Sequence, residues 1–238
     1  MCGRFGLEHP EWSDTRFHAQ MLPGIEPETV LIPRFNIAPT QEVLAVAPSK
    51  RLNGQRGLKS MRWGLTAQWA LEDRSKPRPI NIKTEGIMDR PAYRRLLGLK
   101  RCLIVADGFY EWRKQPGQSK QPYWIGLRTG EMFGFAGLWD AAKDGDDWLV
   151  TCAILTTSPN PLVATLHDRQ PVILTPEQEE LWLSADATEA GELLPLLSPL
   201  SERLMDMYPV PALVNDVKNE GPELRRCVAE EPRQTALL

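Results

Sequence analysis

Along this chain apolar and polar residues alternate in short runs far more often than apolar residues recur at helical spacing. Runs of this kind cover residues 30–37, 42–47 and 58–65, and Asn53-Gly54 between the last two reads as a hairpin turn. Further strands are predicted over 80–83, 102–106, 109–113, 123–127, 132–138 and 148–155, with shorter candidates at 172–174 and 204–210. Residues 73–79, 115–121 and 141–147 have loop composition. Helical signals are few. An amphipathic stretch over 12–21 stops at Leu22-Pro23-Gly24, and Asp89 as an N-cap with Pro91 in the first turn opens a helix to Leu97. Thr175-Pro176-Glu177 opens another, and residues 187–196 form a last one. Many short strands, few helices and no long β–α–β alternation predict a single α+β domain, built on a mainly antiparallel, barrel-like sheet with short flanking helices. The domain is expected over residues 1–226, with 227–238 a disordered polar tail.

Composition narrows the chemistry. With 42% hydrophobic and 25% charged residues in 238, the core needs neither disulfides nor a metal. Residues 5–20 are polar and broken by Pro10, unlike a signal peptide, and no run approaches a membrane span. The four cysteines are scattered without a C-x-x-C pair, which argues against a zinc site or disulfide framework and fits a reducing cytoplasm. Cys102 and Cys152 lie in apolar runs and are expected in the core. The net charge of −3 conceals an asymmetry: from Lys50 to Arg101, fourteen Lys and Arg face four Asp and Glu, a net +10, leaving −13 elsewhere. Two readings stand level: an electrostatic footprint for phosphates, or solvated faces paired with acidic segments elsewhere.

The chain opens Met1-Cys2-Gly3-Arg4-Phe5. Removal of Met1 would leave Cys2 with a free α-amine beside its thiol, two nucleophiles that are both partly deprotonated near neutral pH. Such a 1,2-aminothiol can attack an ester or amide, or condense with an aldehyde to an imine that the thiol closes into a thiazolidine. Several other patterns invite a functional reading. Glu111 sits among aromatic residues in Ala106-Asp107-Gly108-Phe109-Tyr110-Glu111-Trp112, where burial would raise its pKa. His167, one of three histidines, stands at the mouth of a strand in Leu166-His167-Asp168-Arg169-Gln170-Pro171. Pro79-Ile80-Asn81-Ile82-Lys83 alternates polar side chains along another strand.

Taken in order, MCGRF, RFNIAP, RWGL, INIKTE, ADGFYEW, LHDRQPVIL and VKNEG resemble the SOS response-associated peptidase (SRAP) family of abasic-site processing proteins, from residue 1 to about 221. The resemblance implies a sensor of abasic sites in single-stranded DNA that needs no cofactor or metal and acts as a monomer. It implies that Cys2, freed of Met1, forms a thiazolidine with C1′ of the ring-opened sugar, and that Glu111 moves protons on the imine. His167 would be acid or base on the sugar hydroxyl, and Asn81 would hold the sugar or the Cys2 amine. Arg4, Lys83 and Arg169 would grip phosphates, Trp69 would stack on a neighbouring base, and Asn36 and Pro39 would wall the DNA pocket. Family members usually carry arginine where Lys83 stands, so a bidentate contact becomes a point charge. Ala70 replaces a common second aromatic, Gly86 a usual threonine, and Trp69 lacks the proline of the usual A-P-x-W segment. The main rival is an N-terminal-nucleophile hydrolase, either glutamine amidotransferase-like or a thiol peptidase, since the same aminothiol suits amide attack.

Overall fold

A computed structural model describes residues 2–10, 13–22, 31–71, 73, 75–113, 120–187 and 189–229. The alternating runs become strands β1 (Phe5–Leu7), β2 (Gln20–Met21), β3 (Arg34–Ile37), β4 (Glu42–Pro48), β5 (Arg56–Trp63), β6 (Asn81–Lys83) and β7 (Arg101–Ala106). They continue as β8 (Gly108–Arg113), β9 (Gln121–Leu127), β10 (Phe133–Asp144), β11 (Asp147–Thr157), β12 (Gln170–Pro171) and β13 (Met205–Pro209).

Two sheets share these strands. One runs β13-β9-β8-β1-β3 and is antiparallel throughout. The other closes on itself: β11, β10, β7, β4 and β5 pair antiparallel in turn, and β5 returns to β11 in parallel through Arg62↔Thr151 and Trp63↔Cys152. Closure removes the exposed edges that an open sheet would carry. Beyond Trp63 the chain leaves the barrel and comes back as β6, which joins the same edge of β11 further along, Asn81 opposite Ile154.

The two sheets meet through aromatic rings. Phe5 lies edge-on to Trp63 at 5.1 Å and to Phe135 at 5.7 Å, while Phe109 meets Phe135 at 6.1 Å and Phe133 meets Phe135 at 5.1 Å. All five are fully buried, so area burial adds to a ring–ring term of about 0.5–1.5 kcal/mol per pair. β1 is an inner strand, with Phe5 opposite Ile37 of β3 on one side and Phe109 of β8 on the other. Gly108, at that crossing, has no room for a side chain: a Cβ would collide with the Trp124 ring and come 2.8 Å from the Ile125 carbonyl.

The residues after β13 strap across this sheet. The buried Asn36 amide donates to the Asp216 and Asn219 carbonyls, each at 2.9 Å. Arg225 reaches Asp107 at 2.5 Å and Glu8 at 3.1 Å, with its guanidinium 4.0 Å from the Trp124 ring centre.

The α+β, barrel-like reading matches this architecture, with differences at element ends. The N-cap of helix Pro91–Leu99 is Arg90, not Asp89; a residue before proline is driven to extended backbone, which is the conformation a cap requires. Residues 141–147 are not a loop, because β10 and β11 run on as a two-residue hairpin around Gly145-Asp146, a ribbon whose exposure permits polar residues. Asn53 and Gly54 do take positive φ, 52° and 87°, at the end of a longer turn that begins with a 3-10 turn over Lys50–Leu52. The stretch over 12–21 is a helix only at Ser13–Phe17 before β2 pairs in parallel with β5. Residues 187–196 hold a single turn at Ala190–Leu193, followed by a 3-10 turn. The strand expected over 172–174 is reduced to one bridge, Ile173 to Phe135, after the short β12. The helix expected at Thr175-Pro176 is Pro176–Leu183, and its start carries a capping box of Thr175 with Gln178. Cys102 and Cys152 are free thiols in the core, as expected. No helix among the described residues is long and apolar enough to cross a membrane. Trp12, Val30, most of the predicted loop over 115–121 and tail residues 230–238 lie outside the described residues.

Phe5→Ala is expected to lose about 3–5 kcal/mol of unfolding free energy in a denaturant titration. A loss below about 1 kcal/mol, within the range of ordinary surface changes, would show that the ring does not anchor β1.

Candidate active site at the amino terminus

The N-terminal segment continues along β8 beyond β1. Tyr110 N–H donates to the Arg4 carbonyl at 2.9 Å, and extending the Phe5↔Phe109 register sets Gly3 across from Glu111. Cys2 is fully buried at the end of this segment. From the barrel side, the Asn81 side-chain amide donates to the Cys2 carbonyl at 2.7 Å. The other end of that amide, Oδ1, is buried and has no hydrogen-bond partner among the described residues. It is an acceptor held ready beside Cys2.

Glu111 is 4% exposed. Burial pushes its carboxyl above the ordinary carboxylate range, and the nearby His167 pulls in the opposite direction. The Cys2 thiol is raised well above its usual value, first by burial and then by the negative charge of Glu111. A thiol in this setting is held as S–H, a poor nucleophile until something changes its surroundings.

His167 arrives on a tightly specified loop. Asn160 caps helix Pro161–Ala164 by accepting from Val163 N–H at 2.9 Å, and its own amide donates to Leu200 O at 2.8 Å. The buried Gln170 side chain accepts from Asn160 N–H at 2.7 Å, closing the loop between them. Within it, His167 Nδ1 lies 3.0 Å from the Arg169 amide N–H and 2.8 Å from the Asp168 carboxylate. An unprotonated Nδ1 accepts from Arg169, and a protonated one donates to Asp168, so the two contacts are alternatives tied to one proton.

Cys2, Asn81, Glu111 and His167, which the sequence offers from four distant segments, are thus brought together. The six expected DNA contacts divide. Trp69, on helix Gln68–Leu71, is 61% exposed, and its helix is fixed by paired bonds between the Gln68 amide and the Lys143 backbone at 2.7 and 3.0 Å. Lys83 is exposed at the end of β6. Arg169 is mostly covered, pairing with Glu85 at 2.5 Å and donating to the Thr156 carbonyl. Pro39 is half-buried. Arg4 and Asn36 are joined in an internal network: Arg4 Nη1 donates at 2.6 Å both to Asn36 Oδ1 and to the Val214 carbonyl. These two link the Cys2 segment to the C-terminal strap.

The basic segment divides likewise. Arg56 pairs with Glu180, Arg95 and Lys100 with Asp140, and Lys76 with Asp73, while Arg101 is buried against the carbonyls of Trp182, Leu97 and Ser184. Residues that sequence reasoning passed over are Asn160, Gln170 and Asp168. Only Asp168 carried a signal, its adjacency to His167; the other two act across folded distance. Among the described residues no three His, Cys, Asp or Glu side chains gather as a metal site requires.

Comparison with known proteins agrees with the motif order. The family model described as SOS response associated peptidase (SRAP) matches residues 1–217. The chain is 38% identical over 226 residues to "Abasic site processing protein YoqW" of Bacillus subtilis (strain 168), covering 94% of this chain and 98% of that one. It is 28% identical over 232 residues to "Abasic site processing protein YedK" of Escherichia coli (strain K12), with the same two coverages. A crystal structure of a protein from Bacteroides thetaiotaomicron shares the fold at a TM-score of 0.84 and 24% identity, covering 96% of this chain and all of that one. On its motifs, the length of the family match and its relatives, this chain belongs to the SRAP family.

Proposed function

We propose that this protein captures abasic sites in single-stranded DNA, closing a thiazolidine between Cys2 and the sugar once Met1 has been removed. The observation that carries the reading is the meeting of Asn81, Glu111 and His167 around a buried N-terminal cysteine. The printed names of the relatives, abasic site processing proteins, point to the same lesion.

The chemistry follows from the local electrostatics. Because the thiol is held protonated, the α-amine is the first nucleophile. It adds to C1′ of the ring-opened sugar; the carbinolamine hydroxyl then takes a proton and departs as water, leaving an imine. The Cys2 sulfur adds to the imine carbon, its proton ends on the nitrogen, and the five-membered ring closes. Glu111, its carboxyl held by burial above the ordinary carboxylate range, gives the proton that releases water and takes one from the thiol. His167, whose Nδ1 accepts from the Arg169 N–H when bare and donates to Asp168 when protonated, serves as acid or base on the sugar hydroxyl. Asn81 orients the Cys2 segment through Nδ2 and offers Oδ1 to the amine or sugar. Lys83 and Trp69 meet the flanking strand as point charge and stacking face, with Arg169 behind them. Arg4, tied to Asn36 and Val214, sets the position of Cys2 as well as adding positive charge.

Peptidase chemistry enters as release of Met1, in which one water is consumed across the Met1–Cys2 peptide bond to give free methionine and the Cys2 α-amine. A general amide hydrolase would work best with a thiolate at rest, and the burial of Cys2 beside Glu111 opposes one.

Incubation with single-stranded DNA carrying one abasic site is expected to give an adduct that survives denaturing electrophoresis, and Cys2→Ala abolishes it. Glutamine hydrolysis by the same preparation, with no adduct from a fully processed N-terminus, would favour the hydrolase instead. Glu111→Gln is expected to slow adduct formation by about 10²-fold or more while non-covalent DNA binding persists; equal loss of both would assign Glu111 a structural role. The same substitution has a stability signature. The folded-state pKa of Glu111 lies above the unfolded value of about 4.3, so ionisation penalises the folded state as pH rises through and beyond that value, and nothing is lost below it. Glu111→Gln should therefore gain stability over the parent in thermal melts over the interval from about pH 4.3 upward, and show no gain with pH below it. A parent that gains over the variant in that interval would mean the fold stabilises the carboxylate.

A further inference from the structure

On the barrel wall, away from the residues gathered at Cys2, lies a groove of about 900 Å³ that the abasic-site chemistry does not use. Its floor is apolar: Trp139 at the centre, Trp148 and Val150 from the β10–β11 ribbon, and Leu99 from the end of helix Pro91–Leu99. Trp148 is 65% exposed and Leu99 70%, although both belong to types that a fold of this size normally covers. Around this floor stand Lys50, Arg51, Lys59 and Lys100.

The charges there are crowded and poorly compensated. Lys59 Nζ and Lys100 Nζ lie 4.7 and 4.9 Å from the centre of the same Trp139 ring. Lys100 is paired with Asp140 at 2.6 Å, but Lys59 has only the Pro48 carbonyl at 3.4 Å and no carboxylate among the described residues. Burial lowers the proton affinity of the Lys59 ammonium, and the charges of Arg51 and Lys100 act in the same direction. Half-buried positive charge of this kind is relieved by an incoming anion. The apolar floor beneath it is relieved by an incoming hydrophobic side chain.

We propose that this groove docks an acidic peptide segment of a partner protein, with carboxylates on the basic rim and a large apolar side chain against Trp148 and Leu99. Single-stranded nucleic acid fits less well. The Trp139 ring already carries two ammonium groups, and much of the remaining wall is aliphatic, with Leu22, Leu99 and Val150, where base stacking calls for a succession of open aromatic faces. An acidic peptide matches both halves of the surface, an apolar anchor within a charged rim. The inference is independent of the covalent chemistry at Cys2, since the two share no residue.

The test is a fluorescence anisotropy titration of the full chain with a fluorescein-labelled peptide of four aspartates followed by leucine and phenylalanine. Saturable binding is expected that weakens with added salt and falls roughly tenfold when the leucine and phenylalanine are replaced by alanine. Trp148→Ala and Lys59→Gln should each weaken it by a similar factor. Trp148 is exposed, so its variant is expected to melt with the parent and to keep the test decisive even if Lys59→Gln destabilises the fold. Absence of saturation, or an affinity indifferent to both substitutions, would overturn the proposal. So would displacement of the peptide by an equal concentration of an oligothymidylate, which would make the groove a nucleic-acid track.

Discussion

The burial of Phe5 between Trp63 and Phe135 is the contact on which the site depends. An N-terminus is ordinarily the least constrained part of a chain. Here the fifth residue sits in the aromatic seam between sheet and barrel, and its strand is held on both sides, by β3 and by β8. Only Gly3 and Arg4 separate that anchor from Cys2, so the reach of the terminus is fixed by covalent geometry. The Asn81 bond to the Cys2 carbonyl, from the barrel side, fixes its direction.

This constraint has an electrostatic consequence. Placing the terminus inside the fold brings Cys2 and Glu111 into a region with little water, where each neutral form is favoured and each charge disfavours the other's. For amide hydrolysis that would be a handicap. For imine formation it is an advantage, because a neutral carboxyl can donate a proton and a neutral thiol waits until an electrophilic carbon is beside it. The loop bearing His167 supplies the opposite element, a ring nitrogen with a partner in either state: it accepts from the Arg169 N–H when bare and donates to Asp168 when protonated. The fixed amide of Asn81 and the titratable ring of His167 thus come from different elements, and Asn160 and Gln170 clamp the loop that carries the ring.

Much of this was legible in the sequence because it is local. Alternation located the strands, and Thr175-Pro176-Glu177 announced its helix through a cap and a first-position proline that need no tertiary context. The pairing that closes the barrel was not legible, since it rests on two parallel pairs between β5 and β11, Arg62 with Thr151 and Trp63 with Cys152, far apart in the chain, for which periodicity carries no signal. The tip of the β10–β11 ribbon escaped for a different reason: residues 143–147 are exposed, and an exposed ribbon tip has the composition of a loop. At the site, Cys2, Glu111 and His167 were visible as residue types in unusual company. The strap was not, because the partners of Arg4 and Asn36 are backbone carbonyls at 214–219, and a carbonyl has no sequence signature.

The central claim is that amine and thiol of Cys2 both bond to one sugar carbon. Intact mass of the adduct, measured before and after borohydride treatment, tests it most directly. The account predicts a mass of the Met1-less chain plus the abasic DNA less one water, unchanged by borohydride, because a closed thiazolidine has no C=N bond to reduce. An adduct that gains two hydrogens would be an open imine, leaving the thiol out of the bond and contradicting the account.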